Sequence, residues 1–232
     1  MQLRLDCIRC ERGRFSLRGS GTFEEGVHLV WGPVGSGKSS LAFLIAGTLV
    51  PSEGSISRQG IDSLLMSMQF PEYHLTANTV EQEIKLWGVD VDRVLTVASL
   101  LGRERDDPLS LSRGELKQLE LACILQKKVD LLLLDEPFGS LDCINRHEFC
   151  SRLEGRAKGI TIIFTHDHSA FPRIDYFWEL REGFLTFLGT PPNALVQWSS
   201  PPPYIKYLIQ RGVIPKNVRF DDVMEAQCKI RD

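Results

Sequence analysis

The chain has 232 residues, 43% hydrophobic and 25% charged, with 27 Lys and Arg against 30 Asp and Glu. That balance fits one large globular domain, or a core with a small appendage, able to bury its apolar residues without disulfides or metals. A formal net charge of −3 leaves no basic footprint, so nucleic acid is not an expected partner.

The N-terminal segment MQLRLDCIRCERGR has no apolar stretch of the signal-peptide kind and reads as a strand. Cys7 and Cys10 form a lone C-x-x-C there, with no second ligand pair spaced for zinc. With Cys123, Cys143, Cys150 and Cys228 they are expected as reduced thiols of a cytosolic protein. Residues 27–31 (VHLVW) are a short apolar run, and residues 38–47 an apolar helical segment, with a glycine-rich turn between them. That turn, Gly32-Pro33-Val34-Gly35-Ser36-Gly37-Lys38-Ser39, satisfies G-x-x-x-x-G-K-S/T. Its glycines let backbone N–H groups converge on phosphate oxygens, and the next helix turns its positive end to the same anion. Lys38 then offers a charge to the β- and γ-phosphates of ATP and Ser39 a hydroxyl to Mg2+, with Ser40 beside them in the binding set. The longest apolar stretch, residues 41–50, contains Gly and Thr and is too short to span a bilayer.

A strand start at residues 54–57 and a buried strand over 63–69 come next. From Pro71 to about Gln126 the chain turns helical, charged and amphipathic. Helices are predicted over 79–86, where Thr79 and Gln82 have capping-box spacing, over 90–101, and from 114 to about 127 behind Ser112 as a cap. This block reads as a helical subdomain inserted between core strands. The run over 129–134 (VDLLLL) suits a parallel strand buried on both faces. It ends in Asp135, placed to hold Mg2+ in the crevice, and Glu136, placed to polarise or position a water. A helix from 142 to about 157, a strand over 160–165 and a hairpin over 177–188 turning at Arg181-Glu182-Gly183 complete the core. Strands alternating with helices imply an α/β, doubly wound P-loop core over residues 1–190 with the helical insertion at about 71–126. Two short helical patterns around Pro201-Pro202-Pro203 give a C-terminal helical appendage over 191–232.

Further residues narrow the class. Leu111-Ser112-Arg113-Gly114-Glu115 resembles the L-S-G-G-Q signature of ATP-binding-cassette (ABC) proteins, and Gln69 their Q-loop. Ser140-Leu141-Asp142 resembles the D-loop, and His166 in Thr165-His166-Asp167 the switch histidine, all in the family's order over nearly the whole chain. The resemblance implies a Mg-ATP hydrolase working as a head-to-tail pair of subunits. Lys38, Glu136 and His166 would act on the γ-phosphate of their own subunit's ATP, and Ser112 and Gly114 on that of the opposite subunit. Gln69 would join Ser39 and Asp135 around Mg2+, and Asp142 would work at the dimer seam. The chain departs from the family with Arg113 for glycine and Glu115 for glutamine, and it has no upstream tyrosine to stack on adenine. Phe15 is the near aromatic, with core packing as its expected role.

The segment Gln69-Phe70-Pro71-Glu72-Tyr73-His74-Leu75, with residues 79–84 after it, resembles the ATPases of energy-coupling-factor vitamin and metal-ion importers, as does the tail from Pro201 to Tyr204. That likeness implies a peripheral protein on the cytoplasmic face of the cell membrane. Its partners would be a second ATPase subunit, a transmembrane coupling subunit docked between Glu72 and Glu83, and a solute-binding membrane subunit. A soluble cassette ATPase of repair or translation is the alternative, although no sustained heptads separate Ser39 from Asp135 and one cassette is present. A P-loop kinase would need neither signature helix nor switch histidine.

Overall fold

The computed structural model describes residues 1–13, 15–156, 158–168 and 171–230. Among them, nine strands form one sheet: β1 (Gln2–Arg12), β2 (Phe15–Glu24), β3 (Gly26–Trp31), β4 (Glu53–Gln59), β5 (Leu64–Ser67), β6 (Leu131–Asp135), β7 (Ile160–Thr165), β8 (Tyr176–Arg181) and β9 (Phe184–Gly189). Their order is β4-β1-β2-β9-β8-β3-β7-β6-β5. The half from β8 to β5 is parallel, while β1 pairs antiparallel with both β2 and β4. The sequence pattern explains the parallel half. Leu131 and Leu133 face one hydrophobic cluster with Val30, Ile162 and Phe164, and Leu132 and Leu134 face another with Leu29, Ile163 and Phe177. A strand buried on both sides cannot alternate with polar residues, so it reads as continuous leucine.

Between β5 and β6 lie α2 (Val80–Trp87), α3 (Val91–Val97) and α4 (Arg113–Gln126), which gather a third cluster around Ile84, Leu95, Leu116 and Leu119. Thr79 caps α2 by accepting from Gln82 N–H at 3.2 Å. Helix α3 stops at Val97, short of the predicted Leu101. The Leu100 N–H returns to Leu95 O and the Ser99 N–H to Thr96 O, with Ser99 at φ 56°. This is a Schellman closure that buries Leu100, and it carries serine where glycine would have announced it.

Helix α1 (Lys38–Ala46) follows β3, and α5 (Cys143–Glu154) lies between β6 and β7; Ala157, the expected end of α5, is outside the described residues. The β8–β9 hairpin turns at Glu182 and Gly183, both with positive φ, the geometry a two-residue turn needs to match strand twist. Helices α6 (Asn193–Gln197), α7 (Pro203–Gln210) and α8 (Phe220–Cys228) fold back on the core, with Leu195, Trp198, Ile205 and Val223 in the same cluster as Leu29 and Phe177. Cys7 and Cys10 share β1, but Cys7 is exposed at a bulge and Cys10 is buried. No metal-ligating cluster of His, Cys, Asp and Glu occurs among the described residues, and no helix there is long and apolar enough to cross a membrane.

His28 sits buried in β3, accepting at Nδ1 from Trp178 Nε1 at 3.1 Å, so its Nε2–H donates to Glu24 O at 2.8 Å. Burial lowers its pKa from 6.5 to about 4. The unfolded chain therefore takes up a proton below pH 6.5 that the folded chain refuses until about pH 4. Over that window His28 removes about 3 kcal/mol of stability as pH falls. His28→Gln can keep both hydrogen bonds without titrating, so urea unfolding at pH 7 and pH 4.5 is expected to show a smaller acid loss in the variant than in the wild type.

Candidate functional site

The C-terminal ends of β3, β7 and β6 emerge side by side, because Trp31 pairs with Thr165 and Asp135 with Phe164. The residues that follow them form one site. After Trp31 the Gly32 N–H bonds Thr165 O at 3.1 Å, and the Ser36 N–H returns to Pro33 O at 3.1 Å, closing the loop over Pro33, Val34 and Gly35. Gly37 then caps α1 at φ 104°, and a side chain there would strike the Phe15 ring, so glycine is required twice over. Lys38, first in α1, is buried; its Nζ donates to Gly32 O at 2.7 Å and Pro33 O at 3.2 Å and lies 3.3 Å from Glu136 Oε1.

Glu136 lies just past β6 with φ 48°, a conformation non-glycine residues rarely hold. Its backbone N–H bonds Phe164 O at 2.8 Å. Its Oε2 accepts from Thr165 Oγ1 at 2.8 Å, and its Oε1 from the His166 N–H at 3.1 Å, with His166 Nδ1 2.7 Å away. One carboxylate thus joins the phosphate-loop lysine to the end of β7. Asp135, the last residue of β6, is buried and hydrogen-bonded to Ser39, and its Oδ1 has no protein partner. Burial pushes its carboxyl above the ordinary carboxylate range, against the Ser39 hydrogen bond.

These side chains border a cleft of about 400 Å³ lined by Phe15, Val34, Gly35, Gly37, Lys38, Ser39, Ser40, Gln69, Glu136 and His166. Gln69 reaches it because β5 stops at Ser67, two residues earlier than the sequence pattern suggested. A family profile described as ABC transporter matches residues 20–139. The chain belongs to the ABC transporter family and is an ATP-binding, ATP-hydrolysing subunit.

Among relatives of this ABC ATPase is the energy-coupling factor transporter ATP-binding protein EcfA1 of Thermotoga maritima, 31% identical, covering 72% of this chain and 73% of that one. The thiamine import ATP-binding protein ThiQ of Mesorhizobium japonicum is 35% identical, covering 62% of this chain and 66% of that one. A solved ATP-binding subunit of an ABC transporter superimposes over 100% of both chains with a TM-score of 0.68 at 18% identity. A dimeric ATP-binding cassette in a post-hydrolysis state, bound to ADP and Pi, gives 0.64 at 17% identity over 79% of this chain. Both share the fold.

Ser112 and Gly114 lie away from the cleft, at the head of α4. Ser112 caps that helix by accepting the Glu115 N–H at 3.3 Å, and Glu115 Oε2 accepts the Ser112 N–H at 2.8 Å. Glu115, like the glutamine the family has there, thus completes a capping box with Ser112. A side chain at Gly114 would press on Ser140 O at 3.0 Å. Asp142 caps α5, accepting the Asn145 N–H at 2.8 Å.

Phe15 packs, half-buried, against the cluster that holds Leu17 and Leu41, as expected, and it also borders the cleft, where Gly37 leaves room for its ring. One expectation needs correction. Glu83 is buried, not part of an exposed surface. Its Oε2 accepts the Thr76 and Ala77 N–H groups, each at 2.9 Å, and its Oε1 accepts Trp87 Nε1. Sequence reading missed Thr165, although a polar residue closing an apolar strand was the signal. It also missed Arg146, which bonds Asp167 at 2.8 Å and Phe138 O at 2.9 Å and braces the loop between Glu136 and Asp142.

The buried Asp135 charge costs stability above the ordinary aspartate range, since its folded pKa lies above the unfolded value. Asp135→Asn is expected to raise the melting temperature at pH 7 by about 2–4 °C, the shift for about 1 kcal/mol in a chain of this size. The gain should shrink as pH falls toward 4. Thermal melts of both proteins across that range check it, and a lower melting temperature at pH 7 contradicts desolvation as the leading effect.

Proposed function

We propose that this ABC ATPase energises a membrane importer of the energy-coupling-factor type, hydrolysing Mg-ATP between two head-to-tail cassette subunits. The observation that carries the reading is the split of the site. Lys38, Ser39, Glu136, His166 and Gln69 line the loop cleft with Asp135 buried behind them, while Ser112 and Gly114, at the head of α4, are not among its lining residues. A second subunit that presents its own signature helix would complete the site.

The loop Gly32–Ser39 with Ser40 would seat the phosphates on its N–H groups and on the positive end of α1. Phosphate oxygens would compete with Gly32 O and Glu136 for the Lys38 ammonium, and binding of the γ-phosphate would free the Glu136 carboxylate from that ion pair. Glu136 would then take a proton from the attacking water. Its backbone strain is offset by its bonds to Thr165 and His166, which aim the carboxylate into the cleft. His166 would stand between Glu136 and the γ-phosphate. The oxygens of Ser39, Asp135 and Gln69 suit a hard cation, and the orphaned Asp135 Oδ1 is a buried acceptor that such an ion would satisfy. Bound there, Mg2+ would neutralise charge developing on the β- and γ-phosphates.

Transport is supported by both named relatives, each a transporter or import ATP-binding protein. The energy-coupling-factor type is favoured by the segment from Gln69 to Leu75, which carries exposed Phe70 and Tyr73 and is followed by α2 with exposed Leu86. Those three apolar side chains, rather than Glu83, would dock the transmembrane coupling subunit, with a solute-binding membrane subunit beyond it. The protein would then sit peripherally on the cytoplasmic face of the membrane.

Glu136→Gln is expected to accumulate an ATP-bound dimer with itself or with a second cassette subunit, seen by size exclusion with Mg-ATP and lost without nucleotide. A variant that stays monomeric with every cassette partner contradicts the composite site. Pull-down of the tagged chain from gently solubilised membranes is expected to bring a polytopic subunit, and recovery of soluble proteins alone would overturn the importer reading.

A further inference from the structure

Helix α4 carries a charged stripe that the activity above does not use. Arg113, Lys117 and Glu120 follow one another at helical spacing on one face, and the stripe lies along the segment from Ser67 to His74 that contains Gln69. Lys117 is the centre. Its Nζ donates to Ser67 Oγ at 3.0 Å, to Met68 O at 3.0 Å and to Glu120 Oε2 at 2.8 Å. The Lys117 and Glu120 side chains are only 2% and 4% exposed.

The same stripe grips the far side of Gln69. Arg113 Nε lies 3.3 Å from Glu72 Oε1, and its guanidinium is 5.9 Å from the centre of the Phe70 ring. His74 Nε2 accepts the Met68 N–H at 3.1 Å, while Glu120 Oε1, 3.3 Å from that nitrogen, has no hydrogen-bond partner. Residues 67, 68, 70, 72 and 74 are therefore tied to α4 or to each other, and Gln69 is left facing the cleft.

We propose that Arg113, Lys117 and Glu120 are positioning residues that hold Gln69 at the cleft by clamping its segment to α4. Energetics favours placement over stability as the reason for the pair. A buried Lys–Glu pair gives up two hydration shells, and an apolar pair of similar volume is commonly as stable. Only the charged pair, through Lys117, fixes the Ser67 hydroxyl and the Met68 carbonyl, two residues and one residue before Gln69. A main-chain segment pinned on both sides leaves its central side chain little freedom, which is the condition for holding a hard-cation ligand at short range. The clamp also explains arginine at a signature position where the family has glycine. Arg113 reaches back to Glu72 of its own chain.

The proposal rests on Gln69 acting at the Mg2+ site, and the test separates the two. The double variant Lys117→Met with Glu120→Leu keeps the volume and releases the tether. Binding of a fluorescent ATP analogue is followed while Mg2+ is titrated, and melting curves are recorded in parallel. The Mg2+ midpoint is expected to rise about tenfold, the scale for loss of a residue that orients a metal ligand, with nucleotide affinity in EDTA unchanged. Gln69→Ala is expected to raise the midpoint at least as far, and adding Gln69→Ala to the double variant should give no more than Gln69→Ala alone. Arg113→Ala, at the exposed end where folding is not at stake, is expected to move the midpoint the same way by about twofold. Wild-type midpoints in the folded clamp variants, beside a shifted Gln69→Ala, overturn the clamp and leave Gln69 in place. An unshifted Gln69→Ala overturns the role of Gln69 and the clamp with it.

Discussion

The parallel register of β3, β7 and β6 is the constraint on which the site depends. Trp31 pairs with Thr165 and Asp135 with Phe164, so the three strands end within one residue of each other, and the next residues in each leave the sheet at its same end. Gly32, His166 and Glu136 are those residues. Slipping a strand by one place would turn its leucines and isoleucines from one hydrophobic cluster to the other and carry the terminal carboxylates away from the phosphate loop. Core packing thus sets the positions of the polar groups, to an accuracy that exposed loops alone would not supply.

What the register brings together is electrostatically costly. Lys38, Asp135 and Glu136 are all buried within one small region. Glu136 keeps a left-handed backbone of the kind that costs about 1–3 kcal/mol for a non-glycine residue. It is held there by the ends of two other elements, through Thr165, His166 and Lys38. A rigid carboxylate in a dry setting is worth more to a charged transition state than the same group in water, which gives the strain a use.

Much of this was legible from the residues. The phosphate loop, the leucine strand ending in two acids and the histidine after a β-branched strand announce themselves through local pattern, and each lies at a strand end. The remainder is missing from the pattern for physical reasons. Phe15 reads as a core aromatic, which it partly is, and its second place at the cleft stays hidden because nothing local shows that Gly37, more than twenty residues later, will pass over its ring. Glu83 reads as surface charge because helical spacing does not reveal that two N–H groups of the preceding turn, at Thr76 and Ala77, will converge on it. The early end of α3 is hidden because Ser99 takes a position where glycine is the usual marker. Lys117 and Glu120 look like one more exposed pair on an amphipathic helix, and only the approach of β5 buries them.

The central claim is that Glu136, fixed by this register, performs proton transfer from the attacking water without contributing much to nucleotide affinity. The measurement that tests it most directly is phosphate release at saturating Mg-ATP by the wild type and by Glu136→Gln, with ATP binding measured on the same samples. The account predicts a rate about a hundredfold lower or less, with binding retained, which is the usual scale for loss of a general base. A variant that binds ATP and still hydrolyses it at the wild-type rate would contradict the account.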